Sequence, residues 1–254
     1  MIQDNALLDG MAYFPHASSP SAYRYAMPHP RVPFLKKIQL FAPLPEATLE
    51  RIAEISGLQR FSDHGFLFRE GEEPDFVYCF IEGGVVLVGG VGSQEAVIEF
   101  FGPGESVLLP AALLGLPYLV SARATSDGQA LLIPAGKLRS LIDEDVALAA
   151  QCARVLSRHW RVLINQIKEI KTQGAAERLA HFLISQAEKT HGPVAFALPG
   201  MKKEVATRLG IKPETLSRTL RKLRDFGVES DGDTIRISSL ERLAEIANPR
   251  AGGE

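Results

Sequence analysis

The chain reads as an α+β protein: an antiparallel β-roll of the barrel or jelly-roll type, then a long helix, then a winged helix-turn-helix. Three observations predict this order. Twelve of its 22 glycines lie between Gly65 and Gly136 and separate short apolar runs. The stretch from Leu138 to about Thr172 contains neither proline nor glycine. Residues 201–224 combine a glycine break, a proline three residues later and a dense basic face. A length of 254 residues, 46% apolar and 23% charged, is enough for two modest domains of an ordinary globular protein.

Composition excludes several classes. Only two cysteines occur, Cys79 and Cys152, too few for a disulfide framework or a four-thiolate cluster within the chain. Net charge is −2, so any nucleic-acid site must come from local charge. Mean hydropathy is near zero and no apolar run reaches about 18 residues, so no membrane partner is expected. No secretory signal opens the chain, which points to the cytoplasm. Residues 1–34 hold five prolines and three tyrosines without apolar periodicity. They read as a flexible arm, or as one that closes over an effector pocket.

Residues 35–137 read as the roll. Leu35–Gly57 has helical spacing. Then come Phe66-Leu-Phe, Val77-Tyr-Cys-Phe-Ile, Val85-Val-Leu-Val, Ala96-Val-Ile-Glu-Phe-Phe and Ala130-Leu-Leu-Ile, with glycine turns between them. A metal-dependent enzyme on such a roll needs several inward His and carboxylate ligands. This region has only His64, so a metal site is not expected. No Ser/His/Asp arrangement, Walker loop or dinucleotide glycine motif stands out, so an enzyme is not expected either.

Residues 138–173 read as a dimerisation helix. Val146, Ala149, Ala153, Leu156, Trp160, Leu163, Ile167 and Ile170 alternate three and four apart, the period of a coiled-coil seam. The alternative is a core helix lying on its own roll. The strict seam favours a two-fold contact of the chain with itself through Ala149, Ala153, Leu156, Leu163, Ile167 and Ile170. Trp160 is large for such a seam and is assigned toward an effector pocket.

Residues 174–254 read as the winged helix-turn-helix. An amphipathic helix spans Ala175 to about Lys189. Ala206 allows two helices to cross closely, and Gly210 supplies the left-handed residue that ends the first. Pro213 opens the second, where its missing N–H costs nothing. Leu216, Leu220 and Leu223 form its buried stripe; Glu214, Ser217, Arg218, Arg221 and Lys222 lie opposite. Asp231-Gly232 between apolar runs signals a hairpin, hence a wing. Residues 201–224 carry eight Lys and Arg against two Glu, a net +6 in a chain of net −2. That is the footprint of double-stranded DNA binding. The assigned contacts are Glu214, Ser217, Arg218, Thr215, Lys212, Arg221 and Lys202. The alternative is a basic face in an adaptor that binds protein.

From Leu35 to about Ala247 this order resembles the CRP/FNR family of bacterial transcription regulators, whose rolls are cyclic-nucleotide-binding-like. Gly65-Phe-Leu-Phe-Arg-Glu-Gly71-Glu, with Tyr78 and Gly83-Gly84, is similar to the family's barrel signature. Glu214-x-x-Ser217-Arg218 resembles the recognition pattern of the FNR-type branch. That likeness implies TTGAT-like half-sites in an inverted repeat, an activator that contacts RNA polymerase, and Arg218 on a guanine. Chemically, Arg218 can pair with guanine O6 and N7, Glu214 with the cytosine amino group, and Ser217 with thymine.

The effector is left open. The resemblance places an effector pocket at Gly104, Glu105, Leu109, Tyr118, Val120, Arg123 and Trp160. Yet Pro110 stands where the cyclic-AMP receptors carry a ribose-binding Glu, and Leu119-Val120 where they carry the phosphate-binding Arg. Arg123 is a shifted substitute at best. A cyclic or cyclic di-nucleotide remains one alternative. The haem-binding, nitric-oxide-responsive DNR-type members give another, because they lack the same groups and share the Pro213–Arg218 pattern. Candidate haem ligands are His64, His159, Cys79, His16 and His29. Cys152 reads as buried packing or a redox sensor.

Overall fold

The five apolar runs become strands, and three further strands complete the roll. In order they are β1 (Gly57–Phe61), β2 (Phe66–Phe68), β3 (Phe76–Glu82), β4 (Val85–Val91), β5 (Gln94–Phe101), β6 (Ser106–Val107), β7 (Ser121–Ala124) and β8 (Gly128–Pro134). The computed structural model describes residues 29–91, 94–107, 109–189 and 194–248. All pairings within the roll are antiparallel and form two four-stranded sheets, β1-β8-β3-β6 and β2-β7-β4-β5. β1, β6 and β7 carry no apolar run in the sequence, because β1 is interrupted by Gln59-Arg60, β7 alternates with polar residues and β6 is two residues long.

The pleat explains the unbroken apolar runs. Tyr78 and Phe80 of β3 enter the roll interior with Phe68, Val85 and Tyr118. Val77 and Cys79, which alternate with them, face outward into a second cluster under the helices. Likewise Val85 faces in, whereas Val86 and Val88 face out beneath the C-terminal module. A strand covered on both faces has no polar side to present to water.

The outer face of the β1-β8-β3-β6 sheet lies under α1 (Val32–Leu35), α2 (Glu46–Ile55), α3 (Leu109–Leu114), α4 (Ala135–Glu144) and α5 (Val146–Thr172). Two boundaries differ from the sequence reading. Val32 and Leu35 are buried in this cluster, so the roll unit begins inside the stretch read as an arm. Pro33 in the first turn of α1 costs no hydrogen bond there. Arm residues 1–28, His16 among them, lie outside the described residues.

The long helix read as 138–173 is two helices. Asp145 is extended (φ −121°, ψ 101°) and caps α5: its Oδ1 accepts from the Leu148 N–H at 3.0 Å, and its Oδ2 accepts from Thr48 Oγ1 at 2.6 Å. These two bonds hold its carboxyl below the usual aspartate range. A depressed native pKa contributes stability that is present above the unfolded value and fades as pH falls through the native one. Asp145→Ala is therefore expected to cost about 1 kcal/mol at neutral pH. The difference from wild type should shrink below about pH 4. Urea unfolding of both proteins across that range checks this, and a pH-independent difference counts against the cap.

On α5, Leu148, Gln151, Cys152 and Val155 are buried against the roll. Trp160, Leu163, Ile167 and Ile170 are exposed within the single chain.

The C-terminal module comprises α6 (Ala175–Lys189), β9 (Ala195–Ala197), α7 (Lys202–Arg208), α8 (Pro213–Leu223), β10 (Val228–Asp231), β11 (Thr234–Ile237) and α9 (Leu240–Ala247). Its sheet has the order β10-β11-β9. Its core gathers Leu179, Leu183, Val205, Leu216, Leu223 and Leu243, and merges with Val86, Val88, Val97 and Phe100 of the roll in one apolar cluster.

Candidate nucleic-acid interface and effector region

The helix-turn-helix is built by its turn. Gly210 adopts φ +63°, a left-handed conformation strained for any side chain. It lets the Gly210 and Ile211 N–H groups close back onto the Thr207 and Ala206 carbonyls, each at 3.0 Å. Pro213 then starts α8, with Glu214 in its first turn and Arg221 and Lys222 in its last, both placements favoured by the helix dipole. Leu216, Leu220 and Leu223 are buried, as the spacing predicts.

Glu214, Ser217, Arg218 and Arg221 are all exposed. At i, i+3, i+4 and i+7 they share one face of α8. Thr215 is half-buried, and its carbonyl accepts from Thr219 Oγ1 at 2.7 Å, which leaves it beside that face rather than on it. Lys212 is exposed just before α8, and Lys202 is half-buried at the start of α7. The wing is an antiparallel pair in which Asp231 opposes Thr234. Gly232 in its turn has φ +56°.

Two of the charges counted in the basic segment are turned elsewhere. Glu204 and Arg208, one turn apart on α7, face the roll. Glu204 Oε1 accepts from Arg123 Nη2 of β7 at 2.8 Å, and its Oε2 accepts from the Met201 N–H at 2.9 Å. Arg208 donates through Nε and Nη2 to the two carboxylate oxygens of Glu99 on β5, at 3.3 and 2.8 Å. The remaining seven cations and one carboxylate of the segment leave its net charge at +6.

Among the described residues, those assigned to an effector pocket fall into separate places in the fold. Arg123 is the clearest departure. Ala122 and Ala124 are fully buried, and by strand alternation Arg123 points outward, away from the interior. There it also meets Glu95 at 3.2 Å. Burial alone would lower its pKa, but the Glu204 carboxylate outweighs that and raises it. Tyr118 fills the roll interior, with its ring 4.4 Å from that of Phe68 and its hydroxyl donating to the Phe76 carbonyl. Burial pushes its hydroxyl up to about 12. Leu109 belongs to the separate cluster under the helices. Val120 is half-buried beside Gly89 of β4. Gly104, at φ +86°, edges a cavity of about 180 Å³ with Phe34, Lys37 and Phe80. Glu105 accepts from the Gly102 N–H at 2.9 Å. Trp160 is 65% exposed, so the described residues leave most of it uncovered.

The haem-ligand candidates separate in the same way. His64 is exposed on a turn at φ +60°, 3.5 Å from Asp63. The His29 ring accepts from the Arg31 N–H through Nδ1, so that nitrogen is in use. Cys79 is wholly buried, and burial pushes its thiol far up; the same cause raises Cys152 to about 11. Both stay protonated at neutral pH, which suits packing and opposes ligation or redox sensing. His159 is half-buried, and burial lowers its pKa against the opposing field of Glu105. Among the described residues, no three His, Cys, Asp or Glu side chains gather as metal ligands, and no helix is long and apolar enough to cross a membrane.

Comparison with known proteins places both halves. Residues 58–145 match the cyclic nucleotide-binding domain family, and residues 177–246 the Crp-like helix-turn-helix domain. The chain is 29% identical over 188 residues to the transcriptional activator protein FnrA of Stutzerimonas stutzeri, covering 71% of this chain and 76% of that one. It is 26% identical over 192 residues to the CRP-like cAMP-activated global transcriptional regulator of Mycobacterium tuberculosis, covering 71% and 84%. The solved structure of FixK2 from Bradyrhizobium japonicum superposes with a TM-score of 0.71 over 76% of this chain and 97% of that one. At 21% identity, that likeness speaks for the fold alone. With a roll, a helix-turn-helix and relatives that are regulators rather than enzymes, the chain belongs to the CRP/FNR family of DNA-binding transcription regulators.

Proposed function

We propose that the protein acts as a homodimer that reads a TTGAT-like inverted repeat through α8 and activates transcription by contact with RNA polymerase. The observation that carries this reading is the uncovered face of Glu214, Ser217, Arg218 and Arg221 on α8. The chemistry of those four groups suits guanine, cytosine and phosphate in a major groove. The exposed seam of α5 supplies a second-copy contact, and two helix-turn-helix units on a two-fold axis fit half-sites about one helical turn apart. The test is anisotropy of a labelled TTGAT inverted repeat against a scrambled duplex, across salt. Selective binding that weakens with salt supports the reading; equal binding to both duplexes refutes it.

We propose further that the effector is not a cyclic phosphate held in the usual manner. From Ser106 to Ala122 the sequence has no Lys or Arg, and Arg123 is committed to Glu204 and Glu95. A buried phosphate would lack its cation. Millimolar cAMP or cyclic di-GMP is expected to leave the melting temperature unchanged, and a rise of several degrees would overturn this. Haem is the alternative, and its candidate ligand is His159, a half-buried imidazole on the helix that would relay a signal. The same melting experiment with haemin, in wild type and His159→Ala, decides it.

A further inference from the structure

The roll and the DNA-binding module share a built interface. Its centre is apolar: Val86, Val88, Val97 and Phe100 on the outer face of the β2-β7-β4-β5 sheet pack into the same cluster as Phe182, Leu183 and Val205. The Phe100 and Phe182 rings lie 6.5 Å apart. Gly200 is pressed so closely against the roll that a β-carbon there would stand 2.7 Å from the Phe100 ring. Around this centre run two ion pairs that cross the junction. Arg123 joins Glu204, whose side chain is 5% exposed, and Glu99 joins Arg208, whose side chain is 11% exposed. Glu99 also accepts from Gln166 of α5, so a single roll carboxylate ties together the long helix and the first helix of the DNA-binding motif.

An apolar centre with a charged rim is how specific interfaces are organised, and it fixes the orientation of what it joins. Arg123 and Glu99 are remote from the exposed face of α8 and touch no group assigned to DNA. Their partners sit on α7, which packs against α8. Between α5 and α6 the chain offers only Gln173 and Gly174, whose N–H donates to Glu177 of α6 at 3.0 Å. That local bond ties the connection to α6, whereas the bonds from Arg123 and Glu99 are the ones that fasten α7 to the roll.

We propose that Arg123 and Glu99 are positioning residues for DNA recognition: through Glu204 and Arg208 they hold α7, and hence α8, in one orientation on the roll. In the homodimer, on which this inference rests, both recognition helices are then presented together. Releasing them makes the second half-site a separate binding event whose effective concentration falls.

The experiment uses the full chain as wild type, Arg123→Ala, Arg123→Lys and Glu99→Gln. Anisotropy is read on one duplex with an inverted repeat and one with a single half-site. Arg123→Ala and Glu99→Gln are expected to weaken the inverted repeat about tenfold or more while leaving the single half-site within about twofold. Arg123→Lys keeps the charge but loses the planar guanidinium whose Nη2 meets both Glu204 and Glu95, and is expected in between. Equal losses on both duplexes would mean general damage, and unchanged or tighter inverted-repeat binding would mean no positioning role; each overturns the proposal. Wild type that binds the two duplexes equally refutes the homodimer instead. The interface is then judged by hydrogen exchange: Arg123→Ala must speed exchange in β4 and α6 with α2 unchanged, and a lack of such change also overturns it.

Discussion

Arg218→Ala is expected to cost about 2–6 kcal/mol on an inverted repeat, because a loss of about 1–3 kcal/mol is taken in each of two half-sites. Arg218 is exposed in the middle of the α8 face, between Ser217 and Arg221. Among the described residues, no carboxylate pairs with it. Its planar fork can meet both acceptors of one guanine, which neither alanine nor a point-charge lysine can do. The loss should be selective: the mutant should discriminate poorly at the guanine position and retain discrimination elsewhere. A phosphate-contacting residue behaves differently. Lys212→Ala should weaken all duplexes alike and flatten the salt dependence by about one ion per half-site. Anisotropy titrations with each base substituted at the guanine position separate the two. Unchanged discrimination in Arg218→Ala would remove this residue from the readout.

Ile167→Glu is expected to convert the proposed homodimer to monomer. Ile167 is 50% exposed in the single chain, and Trp160, Leu163 and Ile170 flank it on the same stripe. On a two-fold seam each residue meets its own mate, so the substitution sets two carboxylates together in an apolar contact. Uncompensated buried charge costs about 3–5 kcal/mol. The inverted repeat should then bind no better than a single half-site. Asn165→Glu, exposed on α5 but off the seam, is the control and should leave the dimer intact. Sedimentation equilibrium reads both variants, and a dimeric Ile167→Glu would place the two-fold contact elsewhere.

Much of this protein is local in origin, and to that extent the residues alone specify it. The Gly210 turn, Pro213 at the first position of α8, and the Leu216, Leu220, Leu223 stripe depend on neighbours three or four residues away. The helix-turn-helix is accordingly legible without coordinates. So is the roll, because glycine turns and apolar runs mark each covered strand. Asp145 was legible in principle as a cap, but the helical period runs through it. Besides its local bond to Leu148, Asp145 is fastened by the bond from Thr48, distant in sequence and brought near only by folding. β7 shows the same limit. Its Ser-Ala-Arg-Ala pattern says that Arg123 and the alanines face opposite ways, not which face is inside. The large neighbours Phe68, Tyr78 and Tyr118 decide that, by filling the interior up to Ala122. Arg123 is thereby turned outward, and a residue that sequence resemblance places near an effector joins the DNA-binding module instead. Periodicity and turn chemistry are carried by the chain itself. The partners of a side chain belong to whichever distant segments share its space, and only tertiary packing chooses them.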